Sequence, residues 1–362
     1  MTQLDLFADL ADHAAEPEPI PATFAASPRV NVAPPPPQSP EHRQSVTVES
    51  PASRPSGRPR PVRDPHRLAV EIGEAVAERW HNRHGGSAIE VPIGVVAALT
   101  LIGQKDPGDP DLKAQILAQD GPQMITMLRE IWSTQWLHRP DLIDRARILH
   151  EWLNDDVDDY RMAAVLAVAE TALKRGLFDL TGHADPFLRS ATDVLSPVMM
   201  CMRSHGARLG LGEFHTPAPL AESIAAVTVS EMVTAAAGFA AQQPSPGDHI
   251  HDPAAGSGGL LRAAAQLLRE RGHDPATYRW SMVDVDHIAA ACAAVNAIVW
   301  SLGPHVTVAC ADSLANPNAV EDAMKEARAV YAHRDEVVGK AQIMATIRQT
   351  QHLLEQAHAP AA

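Results

Sequence analysis

Residues 250–261 read Ile-His-Asp-Pro-Ala-Ala-Gly-Ser-Gly-Gly-Leu-Leu, residue types that suit a ligand better than a core. A short β-type run ending at His251 leads into an Asp-Pro step and three glycines. Residues 260–271 then carry the apolar spacing of a helix, with Gly272 placed to stop it. Strand, loop and helix in that order set the free N–H groups of a helix start against a bound molecule. Gly256, Gly258 and Gly259 let the backbone approach it, and the implied guest is small and acidic or zwitterionic. Leu261 stands where the dinucleotide fingerprint G-x-G-x-x-G needs its third glycine, so a pyrophosphate cofactor is not implied. Taken alone, the loop reads equally well as an ordinary strand-to-helix turn.

The chain has 362 residues, 45% of them hydrophobic, enough for two domains and a sizeable core. A formal net charge of −14 excludes a surface that is mainly a nucleic-acid footprint, because phosphate binding is largely a cationic effect. Any DNA contact must be local or borrowed from a partner. Cys201, Cys292 and Cys310 form no C-x-x-C pair, so neither a disulfide framework nor a zinc knuckle is suggested. The longest apolar run, residues 91–103, is too short for a bilayer, and a basic stretch followed by an apolar one is not found at the amino terminus. The expected location is the cytoplasm.

Residues 1–65 are rich in Pro, Ala, Ser and Glu and read as a disordered tether. Near its start, Gln3-Leu4-Asp5-Leu6-Phe7 resembles the peptide by which bacterial replication and repair proteins dock on the DNA sliding clamp. The other reading is that Leu4, Leu6, Phe7 and Leu10 begin a frayed amphipathic helix. Further on, Arg54, Arg58, Arg60, Arg63 and Arg67 alternate with prolines. Such a segment suits a sequence-blind phosphate contact, or equally a solvated linker flank.

From about residue 66 to 205 the apolar spacing is helical throughout, predicting an all-helical domain. Its helices fall near residues 68–84, 92–102, 111–118, 122–137, 141–153 and 158–174. Trp132, Trp136 and Trp152 read as core or groove residues. His150-Glu151 does not complete a zinc pair, because Asn154 stands in the second histidine position.

A second loop then changes the picture. Gly212-Glu-Phe214-His-Thr216-Pro217 ends with an N-cap and a first-turn proline and precedes the Asp-Pro loop in the chain. The pair resembles the adenine-specific DNA methyltransferases of the gamma type, especially the methylation subunits of type I restriction systems, over roughly residues 66–317. The resemblance implies S-adenosylmethionine as cofactor. It identifies Phe214, Thr216 and Pro217, with Gly212, as the loop that closes over the methionine end. Asp252, Pro253, Ala254, Gly256 and Gly258 are similar to the family's first cofactor motif, with Asp252 meeting the amino group. A strand over residues 280–285 delivers Asp284, implied as the ribose acceptor. Asp286 either shares that role or caps the helix of residues 287–300. A third strand, residues 305–309, leads to Asp312, implied as the partner of the adenine amino group.

Methyl transfer in that family also needs Asn/Asp-Pro-Pro-Tyr/Phe, whose side chain and carbonyl draw on the exocyclic amine and whose aromatic ring stacks on the flipped base. Consecutive prolines occur only at positions 34–37, and Asn316-Pro317 is followed by Asn318 and Ala319. Residues 318–362 read as a helical tail rather than a fourth strand. The expected fold is therefore α/β: an all-α domain (66–205), a truncated Rossmann-like sheet of about three parallel strands (206–317), and the tail. The third strand's edge then needs cover from that tail or from another subunit. The expected function is adenine-specific DNA methylation, with a partner supplying the catalytic motif and a specificity subunit supplying target recognition. The alternative is a non-catalytic S-adenosylmethionine-sensing protein associated with DNA or the clamp. A small-molecule or protein methyltransferase fits the motif order poorly. For the amino-terminal peptide, Leu6→Ala with Phe7→Ala is expected to abolish retention of the full chain on immobilised sliding clamp; equal retention of both proteins would leave the frayed-helix reading.

Overall fold

The computed structural model of the chain describes residues 59–103, 110–203, 216–228 and 244–358. Residues 55–336 belong to one compact unit, and residues 337–358 are the described part of a second.

The amino-terminal half of the larger unit is helical, and its helix ends are set by local chemistry. Asp64 accepts the Arg67 N–H, so α1 (Pro65–His84) starts before the first residue of the apolar pattern, and it stops at Gly85. Next come α2 (Glu90–Thr100), buried over nearly its whole length, and the short α3 (Leu112–Leu117). In α4 (Gly121–His138) Asp120 and Gln123 cap each other's backbone reciprocally. The helix expected over residues 141–153 is instead α5 (Pro140–Arg145) followed by 3-10 turns at Arg147–Leu149 and Glu151–Asn154. Two features account for the break: the Trp152 indole takes the Leu149 carbonyl at 2.9 Å, and the backbone of Gly94 in α2 packs directly on that carbonyl. The region closes with α6 (Asp159–Arg175), α7 (Leu177–Thr181), α8 (Pro186–Arg189) and α9 (Leu195–Met202). Trp132 and Trp152 are core residues, and Trp136 packs at its margin.

After α10 (Ala218–Thr228) the periodicity changes to strands. β1 (His249–Asp252), β2 (Arg279–Asp284) and β3 (Val306–Cys310) form a parallel sheet in that order, Asp252 opposite Met282 and Asp284 opposite Cys310. The crossovers are α11 (Gly259–Glu270) and α12 (His287–Val299). The result is α/β with an all-helical amino-terminal part and a truncated Rossmann-like sheet, as the sequence implies.

Helices and sheet share one core, in which Ile72, Val96 and Leu128 belong to the same buried cluster as Leu261, Trp280 and Met282. A polar seam reinforces it. Arg262, Gln266 and Arg269 lie along one side of α11, and all three bond to residues 187–191. Arg262 is buried, with Nη1 on the carbonyls of Ser190 at 3.0 Å and Ala191 at 3.2 Å. A second tie is the buried ion pair of Arg203 with Asp286 at 2.6 Å.

The last helix, α13 (Ala319–His358), begins inside this unit. Its Ala319 and Ala323 pack on Val283 and Ala309, covering part of the sheet face turned away from α11 and α12. Beside β3, residues of α5 (Asp141, Leu142, Arg145) and of α13 (Ala323, Glu326, Val330) gather around Val306, Thr307 and Val308. The chain's own helices therefore flank the outer side of the third strand. Arg145 pairs with Glu326 at 2.6 Å, the Tyr331 hydroxyl donates to Asp141 at 2.9 Å, and Arg334 donates to the Leu137 carbonyl at 2.9 Å. Asp141 also holds Arg139 in two-pronged fashion, at 3.1 and 3.0 Å, and Arg139 in turn reaches the Gly303 carbonyl at 2.8 Å. Residues 337–358 continue as helix, with Val337, Ile343, Met344 and Ile347 exposed. Among the described residues no helix is long and apolar enough to cross a membrane.

Asp141 is thus shared by three elements, and Asp141→Ala strands the largely buried Arg139 guanidinium. Breaking such a pair costs about 3 kcal/mol. Urea unfolding of the variant is expected to show a midpoint lowered by that energy divided by the slope, with the slope unchanged.

Candidate functional site

At the carboxyl ends of the three strands the chain turns sharply and exposes its acids. Asp252 closes β1, and the turn after it is held from the neighbouring strand: the Ala255 N–H donates to the Val283 carbonyl at 2.9 Å and the Gly256 N–H to Asp284 Oδ2 at 2.7 Å. Gly256 and Gly258 have φ of 55° and 93°, the left-handed region that favours glycine. At Gly258 space is limiting as well, because an added Cβ would stand 3.1 Å from Met282 Sδ and 3.2 Å from the Trp300 ring. That glycine lets the helix start descend onto the core. Pro253 and Ala254 are exposed on the turn.

Asp252 is 7% exposed. Its Oδ1 accepts the Ala254 N–H at 3.0 Å, whereas Oδ2 is buried and accepts no hydrogen bond among the described residues. Burial pushes this carboxyl above the usual range, with Asp284 adding to the effect and the Ala254 N–H and His251 opposing it. An uncompensated buried carboxylate oxygen is costly and invites a cationic donor.

Asp284 is half-buried, and its Oδ1 takes the Asp286 N–H at 2.9 Å. Each of its oxygens thus holds one backbone donor, and lone pairs remain for hydroxyl groups. Asp286 settles as the cap, accepting the Ala289 N–H at 2.7 Å while paired with Arg203. Asp312 is exposed and shapes the turn after β3 by accepting the Leu314 and Ala315 N–H groups at 2.9 and 3.2 Å. Next to these acids stand two exposed apolar side chains, Val285 and the almost fully exposed Leu314.

Thr216 and Pro217 lie elsewhere around the same turn. With Ala221, Met200, Asp193, Gly259 and Arg262 they line a mostly apolar cleft of about 320 Å³, a size that suits part of a small molecule. Its mouth carries a charge cluster in which the His66 ring contacts Thr192 at 2.9 Å and Glu222 at 3.3 Å, and Arg262 reaches the same Glu222 oxygen at 3.3 Å. The structure gathers Asp252, Gly256, Gly258 and Asp284 into one constellation with Asp312 at the next strand end, and sets Thr216 and Pro217 in the cleft that Gly259 also lines. Phe214, Gly212, Gln3, Leu4, Leu6, Phe7, Arg54 and Arg58 lie outside the described residues. Arg60 and Arg63 are exposed on the approach to α1, where the Arg60 N–H bonds to Asp179 at 2.8 Å and Val62 packs on the core.

Sequence reading missed the residues that brace the turn. Ser257 is buried, its hydroxyl donates to Asp193 at 2.6 Å, and its carbonyl accepts from Asn296 at 2.9 Å. Asn296, a buried polar residue amid the alanines of α12, is the one visible signal of this brace.

Acids at the ends of consecutive parallel strands around a glycine turn are the arrangement of a truncated Rossmann-like layer. Residues 199–333 match the family described as N-6 DNA Methylase. The match supports a DNA methyltransferase-like function, and the matched family acts on DNA and generally uses S-adenosylmethionine. No curated protein sequence matches the chain.

Gly258→Ala meets both a left-handed φ and the Met282–Trp300 wall, and a cost of about 1–3 kcal/mol is expected from the strain. Thermal unfolding should register it as a drop of several degrees, whereas Gly259→Ala, at a position open to solvent, should be close to neutral.

Proposed function

We propose that residues 199–333 bind S-adenosylmethionine and serve methyl transfer to the exocyclic amine of adenine in DNA, with the catalytic motif contributed by a partner chain. The observation that carries the reading is the buried Asp252 oxygen without a donor, at a strand end beside the start of α11, whose first backbone N–H groups have no intrahelical acceptor. A carboxylate and a helix start side by side complement a zwitterion, which is the chemistry of the cofactor's methionine end. When bound, the cofactor supplies a methyl group activated on a sulfonium.

Asp252 would hold the ammonium, and the start of α11, which Gly256 and Gly258 shape, would face the carboxylate. Asp284 has lone pairs left for ribose hydroxyls, and Asp312, at the next strand end, would take the adenine amino group. Val285 and Leu314 offer apolar surface to a flat ring. The cleft lined by Thr216 and Pro217 lies on the Gly259 side of the turn, which fits a closing role for that loop together with Phe214. Reaching DNA falls to the arginines at 54, 58, 60 and 63 or to the partner, and the peptide at residues 3–7 would tether a cytoplasmic protein to the sliding clamp.

The partner requirement rests on chemistry that these 362 residues lack. Asn316 is the one asparagine followed by proline, and its side-chain oxygen already accepts the Asn318 N–H at 3.0 Å within a local turn. That engagement also favours the second reading, a cofactor-sensing protein that does not transfer methyl groups.

Calorimetry with S-adenosylmethionine tests the binding site. Removing a charge-assisted hydrogen bond costs about 1.5–3 kcal/mol, so Asp252→Asn is expected to weaken binding on the order of tenfold or more. The free variant should nonetheless be at least as stable as the parent at neutral pH. A carboxyl whose folded pKa is raised binds more protons folded than unfolded, so stability falls as pH rises from the ordinary carboxylate pKa towards the raised one. Asn removes that penalty. Cofactor affinity of the parent runs the other way, decreasing as pH falls through the raised pKa. Equal affinity of parent and variant would overturn the assignment. Labelled methyl transfer to unmethylated DNA is expected to be absent with the purified chain, and robust transfer by it alone would remove the partner from the scheme.

A further inference from the structure

We propose that Asp193 is the positioning residue through which the helical region sets the shape of the cofactor-binding turn. The idea rests on the cofactor reading above but concerns residues that reading does not use.

Asp193 lies in the segment between α8 and α9, outside the strand-loop-helix unit. Both of its oxygens are committed. Oδ1 accepts the Asn296 side chain at 3.0 Å and the Ser196 N–H at 3.0 Å, and Oδ2 accepts the Ser257 hydroxyl at 2.6 Å. Asn296 donates to the Ser257 carbonyl at 2.9 Å as well. Ser257 is therefore held from both sides, by its hydroxyl and its carbonyl, through two side chains that also bond to each other. Ser257 and Asn296 are 1% and 2% exposed, so water does not compete for these bonds and each is worth more than its surface counterpart.

Ser257 is the residue between the two glycines with positive φ. Gly256 and Gly258 have wide conformational freedom, and a turn built on them alone would sample many shapes and lose that freedom on binding. Fixing the residue between them removes most of that freedom beforehand. The Gly256 N–H is then kept on Asp284, and Asp252 Oδ2 stays without a donor, ready for one. Asp193 also lines the apolar cleft with Thr216 and Pro217, so the same carboxylate borders both sides of the site.

Asp193 additionally caps α9 through Ser196, and a purely structural role must be separated from positioning. The separation uses Asp158→Ala, which removes the cap of α6, a bond to the Arg161 N–H remote from the turn. In the full chain, Asp193→Ala is expected to weaken S-adenosylmethionine binding on the order of tenfold, by the loss of charge-assisted hydrogen bonds. Amide exchange at residues 256–260 of the free protein should accelerate. Asp158→Ala should lower the unfolding midpoint comparably with neither effect. Asp193→Asn, which keeps an acceptor for Asn296 and a polar partner for Ser257, should restore most of the affinity. Ser257→Ala, a small buried change that serves if Asp193→Ala fails to fold, should reproduce the faster exchange and part of the affinity loss. The double variant should be no worse than Asp193→Ala alone. If the parent binds the cofactor and the Asp193 and Ser257 variants bind it equally well with unchanged exchange, the positioning role is wrong. If the parent does not bind, it is the cofactor reading that fails, and the exchange measurement still decides whether Asp193 shapes the turn.

Discussion

A parallel sheet must be covered, and three short strands supply little of the cover themselves. Parallel strands depend on helices packed over their faces, and most of this fold follows from that need. The crossovers α11 and α12 shield one face, but neither could do so without a second layer behind it. That layer is the helical region, whose residues Ile72, Val96 and Leu128 belong to the same core as Trp280 and Met282. The sheet and the helices before it are thus one folding problem. The polar seam of Arg262, Gln266 and Arg269 fixes their register where apolar contact alone would let them slide.

The same need explains the last helix. Ala319 and Ala323 lie flat on Val283 and Ala309, small residues that let a helix approach a sheet closely. From there Glu326, Tyr331 and Arg334 fasten it to residues 137–145 beside β3. Of the two covers that the sequence leaves open for the third strand, its own tail and a second subunit, the first is present, with α5 joining it. On the same face of the sheet His249 and His251 share the Ser281 hydroxyl, at 2.8 and 2.7 Å, a polar patch beside these apolar contacts.

How much of this was legible follows from the range of the interactions. The strand-turn-helix at residues 249–270 and the helices Asp159–Arg175 and His287–Val299 depend on neighbours in sequence, and the reading of those segments matches the structure to within a residue or two. The break at residues 146–150 was hidden because it depends on Gly94, half a domain away. Asp193 was invisible for a similar reason: nothing around it differs from an ordinary helix cap, and its meaning lies in two residues more than sixty positions downstream. The acids of the site could be placed because strand ends are local features. What steadies them could not, because it comes from another layer.

The unpaired oxygen of Asp252 also sets what this strand end can accommodate. Its burial cost is relieved by a group that brings a donor, and most by one that carries positive charge. A neutral or anionic molecule of the same shape would leave that cost in place, so the orphaned oxygen filters by charge before any other contact is made.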